Sequence, residues 1–234
     1  MYKAFTNCDD LLTSYFNYLR GVSVLAKNEF YWRRLHSLLG VIPVGLFLVF
    51  HLSLNFTATG GEETYNTATG VMNYVPGPLL LLVEWVVIYI PLLFHGLYGL
   101  YIAFTATPNN KRFSTFRNWM FLLQRITGVF LVIFIAWHMF QTRIQKALGA
   151  DVNFNMMEEI VATPWMLAFY IVGILSATLH LSNGLWAFLV SWGITQSPQS
   201  QKVASWLSMA FFVIISIVGV TAILFLWVLC LREH

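Results

Sequence analysis

Residues 79–105 read LLLLVEWVVIYIPLLFHGLYGLYIAFT. The run holds one acid, Glu84, and one histidine, His95. A helix needs roughly 20 mostly apolar residues to cross the hydrocarbon core of a bilayer, and this run exceeds that without the polar stripe of a soluble helix. Four more runs along the chain qualify on the same grounds: Leu35–Phe56, Trp119–Phe140, Pro164–Ile194 and Val203–Leu231. Turn formers and charges separate them, in Gly60-Gly61-Glu62-Glu63, Pro76-Gly77-Pro78, Pro108-Asn109-Asn110-Lys111-Arg112, Gly149-Ala150-Asp151 and Ser197-Pro198-Gln199. Short connections make sequential helices antiparallel neighbours. The expectation is an all-α, polytopic membrane protein with five transmembrane helices.

Composition agrees. Of 234 residues, 58% are hydrophobic and 10% charged, where a soluble domain carries about a quarter charged residues. The mean hydropathy is +0.69. Nine Trp suit helices anchored at two membrane–water interfaces. Nucleic-acid binding is ruled out by a chain this apolar and this sparsely charged. The two cysteines, Cys8 and Cys230, stand near opposite ends and form neither a disulfide framework nor a metal cluster.

Charge placement sets the orientation. Lys3, Arg20, Lys27, Arg33, Arg34, Lys111, Arg112, Arg117, Arg125 and Lys202 fall on one side of the five spans. Only Arg143, Lys146 and Arg232 fall on the other. Lys and Arg accumulate on the cytoplasmic side, which puts the N-terminus inside and the C-terminus outside. Residues 1–29 form an N-terminal extension ahead of a membrane domain over residues 30–234. Asp9, Asp10 and Arg20 interrupt any signal-peptide core. Leu11, Leu12, Tyr15, Phe16, Leu19 and Val22 recur at helical spacing after Asp10, the pattern of an amphipathic helix lying on the cytoplasmic face. The plainer alternative is a disordered tail.

Four of the six histidines fall inside spans: His51, His95, His138 and His180, one in each of the first four. Ionisable side chains at membrane depth are costly and mark function. At about 1.5 Å of rise per residue, His51 and His138 lie within roughly 6–9 Å of the outer ends of their helices. His95 and His180 lie about 24 Å in from the same side. The four thus form an outer and an inner pair.

An internal repeat gives the same pairing. Leu35-His36-Ser37-Leu38-Leu39-Gly40-Val41, leading to His51, matches Leu123-Gln124-Arg125-Ile126-Thr127-Gly128-Val129, leading to His138. His95-x-x-x-Gly99-Leu100-Tyr101 matches His180-x-x-x-Gly184-Leu185-Trp186. Spans one and two read as a duplicate of three and four.

Two histidines facing each other across a bundle suit the axial positions of a haem iron. The first four helices are therefore expected to form a haem-binding bundle around two non-covalent b haems, one on His51 and His138, the other on His95 and His180. No C-x-x-C-H exists for covalent attachment. Ser176 and Gly184 beside His180, and Gly96 and Gly99 beside His95, leave space for a macrocycle, though small residues also serve helix packing. A zinc or di-iron site would need more ligands at one depth, with carboxylates among them.

Other polar residues take secondary roles. Arg125, Ser37 and His36 are candidates for haem propionates; snorkelling to the interface is the plainer reading of Arg125, and a surface or hydrogen-bonding role that of His36. Glu84, Asn55 and Trp137, with Thr142, are candidates for a quinone pocket near the outer pair, against ordinary interface placement. His234 is terminal and carries no assignment.

The segment Phe30-Tyr31-Trp32-Arg33-Arg34-Leu35-His36-Ser37-Leu38-Leu39-Gly40-Val41-Ile42-Pro43-Val44-Gly45 resembles the start of the dihaem cytochrome b membrane subunits of bacterial succinate:menaquinone oxidoreductases. So do Phe116-Arg117-Asn118-Trp119-Met120-Phe121, Leu123-Gln124-Arg125, Phe169-Tyr170-Ile171-Val172-Gly173 and Ser182-Asn183-Gly184-Leu185-Trp186. The resemblance covers the chain after about residue 29. It implies a five-helix anchor in the bacterial cytoplasmic (inner) membrane, with a flavoprotein that oxidises succinate and an iron–sulfur subunit docked on its cytoplasmic face. It implies electron flow through the inner and then the outer haem to menaquinone. Related fumarate reductases share this architecture and run the reaction in reverse, and some carry an acidic residue two positions before the fourth-helix ligand, where this chain has Thr178. Two rivals stand: a haem anchor of another respiratory dehydrogenase, and a haem-free transporter using the histidines as a proton relay.

Overall fold

The computed structural model describes residues 28–107 and 110–233. The amphipathic helix expected in the extension lies outside the described residues. All the regular elements among the described residues are helical. Five helices are long and apolar enough to cross a membrane: α1 (Asn28–Gly60), α3 (Gly77–Thr105), α4 (Phe116–Ala147), α6 (Pro164–Ser191) and α7 (Pro198–Glu233). Two short helices, α2 (Glu62–Gly70) and α5 (Phe154–Val161), lie in the connections after α1 and α4.

The five spans correspond to the expected runs, and most extend a few residues beyond them, because capping rather than hydropathy sets where a helix stops. Thr115 accepts from the Asn118 N–H at the start of α4, and Asn153 from the Met156 N–H at the start of α5. Pro164 opens α6, where a missing N–H costs nothing. α6 ends in a Schellman turn at Gly193 (φ +73°), with Ile194 N–H bonded to Leu189 O and Gly193 N–H to Val190 O. Gly149 (φ +100°) closes α4 in the same way.

Three irregularities matter for the site. Pro43 interrupts the hydrogen-bond ladder of α1, while Ile42 and Leu46 keep theirs to Leu38 and Ile42. α3 widens into a π-helical turn over Glu84–Tyr89, just ahead of Pro91. α4 does so over Phe140–Ile144, directly after His138.

α6 is the most enclosed span and α3 the least. α6 packs between α4 and α7, α4 also meets α3, and α7 also lies along α1. This leaves α1 diagonal to α4 and α3 diagonal to α6 around a central slot. Leu46, Phe50, Leu97, Ile133 and Ile214 are more than half exposed around the outside, as acyl chains rather than water require. The connections carrying α2 and α5 build a cap on one face of the bundle. Tyr65 and Phe154 meet edge to face at 5.9 Å, buried with Ala58, Val161 and Leu226, and Asn66 Oδ1 accepts the Phe154 N–H at 3.0 Å. These connections are more ordered than their turn formers suggest, because a few apolar residues in each find one another.

Candidate functional site

The rings of His95 (α3) and His180 (α6) approach to 6.0 Å between centroids across one diagonal, with planes 85° apart. His95 Nδ1 lies 2.9 Å from the His36 carbonyl, and His180 Nδ1 lies 3.1 Å from the Gln124 carbonyl. A carbonyl only accepts, so each ring carries its proton on Nδ1 and leaves the Nε2 lone pair free. Glycine makes the approach possible. A Cβ on Gly40 would sit 2.2 Å from His95 Cε1, and one on Gly128 would sit 3.0 Å from His180 Cε1. His36 and Gln124 are equivalent in the sequence repeat, as are Gly40 and Gly128. Each histidine is thus seated on the same turn of the helix beside it, and the duplication is legible in the hydrogen bonds.

Across the other diagonal and nearer the cap, His51 (α1) and His138 (α4) approach to 5.7 Å, planes 75° apart. His138 Nδ1 lies 3.3 Å from the Tyr170 hydroxyl, which donates to Gln141 Oε1 at 2.9 Å. The repeat shows again in the backbone: the side chain four residues on takes each carbonyl, Asn55 Nδ2 that of His51 at 2.8 Å and Thr142 Oγ1 that of His138 at 2.7 Å. Asn55 Nδ2 also lies 3.4 Å from His51 Nε2, a much weaker contact. Phe47 and Phe134 flank the two rings. From Gly40 to His51 and from Gly128 to His138 the rise is about 15 Å, which is the separation of the two levels.

The residues fit two bis-imidazole haem sites. An imidazole–metal bond is about 2 Å long, so two opposed nitrogens need ring centroids several ångströms apart, as both pairs have. Among the described residues no cluster of three or more His, Cys, Asp or Glu could hold an ion, which disfavours zinc and di-iron alternatives. A haem brings its own four equatorial nitrogens and asks the chain for two. Arg125 Nε and Nη2 and His36 Nε2 are among the buried nitrogens that have no hydrogen-bond partner among the described residues. Buried donors are almost always satisfied, so these atoms are available to an acidic group such as a macrocycle would bring. Arg125 is otherwise held by the Ala106 carbonyl at 3.2 Å and by the Phe121 ring, 3.7 Å from its guanidinium carbon.

The remaining candidates scatter. Ser37 is half-buried beside His36. Glu84 begins the π turn of α3 and pairs with Arg143 in the π turn of α4, at 2.9 Å to Nη2 and 3.2 Å to Nε; Tyr89 Oη lies 3.5 Å away. Trp137 is 41% exposed and stacks obliquely on Phe140. Thr178, fully buried two residues before His180, hydrogen-bonds Ser216 at 2.7 Å. Sequence reasoning missed Tyr170, Gln141 and the role of Arg143. Depth counting could have found Tyr170, which is six residues into α6 and level with His138.

A helical membrane protein with two stacked pairs of histidines in its bundle is the class this arrangement defines. The chain belongs to the succinate dehydrogenase/fumarate reductase transmembrane subunit family. The family model matches residues 106–220. The chain is also similar to the succinate dehydrogenase cytochrome b558 subunit of Bacillus subtilis (strain 168), 51% identical over 197 residues that cover 84% of this chain and 96% of that protein.

Proposed function

We propose that this chain is the membrane anchor and electron-transfer subunit of a succinate dehydrogenase in a bacterial cytoplasmic membrane. The observation that carries the reading is the seating of His95 and His180, each with Nδ1 on a backbone carbonyl, which leaves Nε2 as the lone-pair nitrogen, and with the two rings 6.0 Å apart. His51 and His138 would hold a second haem nearer the cap. When bound, the two haems supply a one-electron relay between an iron–sulfur partner and menaquinone. The chain supplies the axial nitrogens, the spacing between levels and the Arg125 and His36 donors for propionates, with Ser37 beside them.

The excess of Lys and Arg on the face where α1 begins favours that face as cytoplasmic, and there the flavoprotein and iron–sulfur subunits would dock. The cap then faces outward. Asn55 and the Glu84–Arg143 pair lie at that end, where a menaquinone pocket would open, while the outward-facing Trp137 would meet quinone or lipid. The histidine-relay reading is weaker, because the aromatic rings of Phe47 and Phe134 flank His51 and His138 and the Nδ1 protons of His95 and His180 are tied to backbone carbonyls.

A reduced-minus-oxidised visible spectrum of the purified protein, with haem extracted and counted per chain, tests this. Two low-spin, non-covalent haems are expected. A folded preparation without haem would overturn the reading and promote the relay.

A further inference from the structure

The Nδ1 partners of His95 and His180 are main-chain oxygens, at 2.9 and 3.1 Å, which no side-chain substitution removes; Thr127 Oγ1 near His180 is farther, at 3.3 Å. His138 differs. Its Nδ1 partner is the Tyr170 hydroxyl, and that hydroxyl has an acceptor of its own in Gln141 Oε1. We infer that Tyr170, backed by Gln141, is a positioning residue that sets the donor strength of the His138 imidazole and so the reduction potential of the iron it holds. The inference rests on the reading of His138 as an axial ligand.

The chemistry runs in one direction. An imidazole whose far N–H is hydrogen-bonded is a more basic ligand, and a more basic ligand favours ferric over ferrous iron. Tyr170 donates to Gln141 while accepting from His138, and donation polarises the phenol oxygen so that it accepts more strongly. The arrangement is rigid. Tyr170 is 6% exposed, edge-on to Phe134 at 5.5 Å and 79°. Gln141 and Arg143 stand in the π turn Phe140–Ile144, and their contacts run to opposite neighbours, Gln141 to α6 and Arg143 to α3.

The test is a redox titration of the purified complex, following both haem steps in wild type, Tyr170→Phe, Gln141→Leu and Gln141→Glu. Tyr170→Phe removes the acceptor and Gln141→Leu weakens it, so each should move one step to higher potential and leave the other in place. Gln141→Glu strengthens the acceptor and should move the same step lower, with a smaller effect once Tyr170 is Phe. Unchanged potentials in all three, or equal movement of both steps, would overturn the inference. If Tyr170→Phe loses a haem, the opposite shifts of the two Gln141 variants decide. Retention of both haems in His138→Ala would instead overturn the ligand reading itself.

Discussion

The ring of His36 lies flat on that of His95, centroids 4.1 Å apart and planes within 5°, and the carbonyl of the same residue accepts the His95 Nδ1 proton. Backbone and side chain therefore do separate jobs: the first fixes the tautomer of His95, the second covers its face. The equivalent residue, Gln124, performs the first job through its carbonyl but uses its side chain differently, donating to the His180 carbonyl at 3.0 Å and accepting from Asn183 at 2.8 Å. His36→Gln should consequently keep both haems, because the carbonyl remains. The ring stack, about 0.5–1.5 kcal/mol, is lost while the Gln amide can still donate in place of the His36 Nε2, to be read as a small fall in thermal midpoint at unchanged haem content.

The two glycine seats differ in tightness, which ranks their substitutions. Gly40→Ala drives a methyl to 2.2 Å from the His95 ring, whereas Gly128→Ala brings one to 3.0 Å from His180. Overpacking of this kind costs about 1–3 kcal/mol, and in Gly40→Ala the ring must leave its carbonyl to escape. Haem counted per chain should fall toward one in Gly40→Ala and fall less in Gly128→Ala. The reverse order would contradict the geometry.

The Glu84–Arg143 pair ties the π turn of α3 to that of α4, with the side chains 17% and 33% exposed respectively. That exposure reduces the value of the pair well below that of a fully buried one. Arg143→Leu or Glu84→Gln should each destabilise the cap-side end by about 1–2 kcal/mol, and the double variant should cost less than the sum. Thermal unfolding in detergent measures all three.

The five spans were legible because apolar length is a property of the sequence alone. The histidine pairs were legible by counting residues from helix ends, since rise per residue is constant. What held the histidines was not. An Nδ1 acceptor that is the carbonyl of His36 or Gln124 leaves no mark on residue type, for every residue has one. The Glu84–Arg143 pair escaped for another reason: each residue alone reads as an interface group, and two π turns shift the register on which a 3.6-residue count depends. The cap was hidden because Tyr65 and Phe154 stand in short, polar-looking connections and acquire a core only from each other.

That cap has a pH signature. Tyr65 is 3% exposed, and burial pushes its phenol from near 10 up to about 12. The folded state holds the proton more tightly than the unfolded chain, so the contribution is complete below about pH 10 and is lost as pH rises from about 10 through about 12. Its size is on the order of 2 kcal/mol. Stability of the cap, followed by amide exchange around Ala58 and Val161, should fall across that window in the wild type. Tyr65→Phe removes the titrating group and should flatten the fall.

The diagonal arrangement makes a final claim that single substitutions can test by their equivalence. His51 and His138 approach to 5.7 Å and His95 and His180 to 6.0 Å, at levels about 15 Å apart. If each pair holds one iron, His51→Ala and His138→Ala should lose the same haem and give the same residual spectrum. His95→Ala and His180→Ala should give the complementary one. A double substitution within a pair should be no worse than either single, because the iron is already gone. A double across pairs, such as His51→Ala with His180→Ala, should leave none. Four distinct single-variant spectra, or a cross-pair double that keeps a haem, would mean that the ligands are shared differently from the way the rings face.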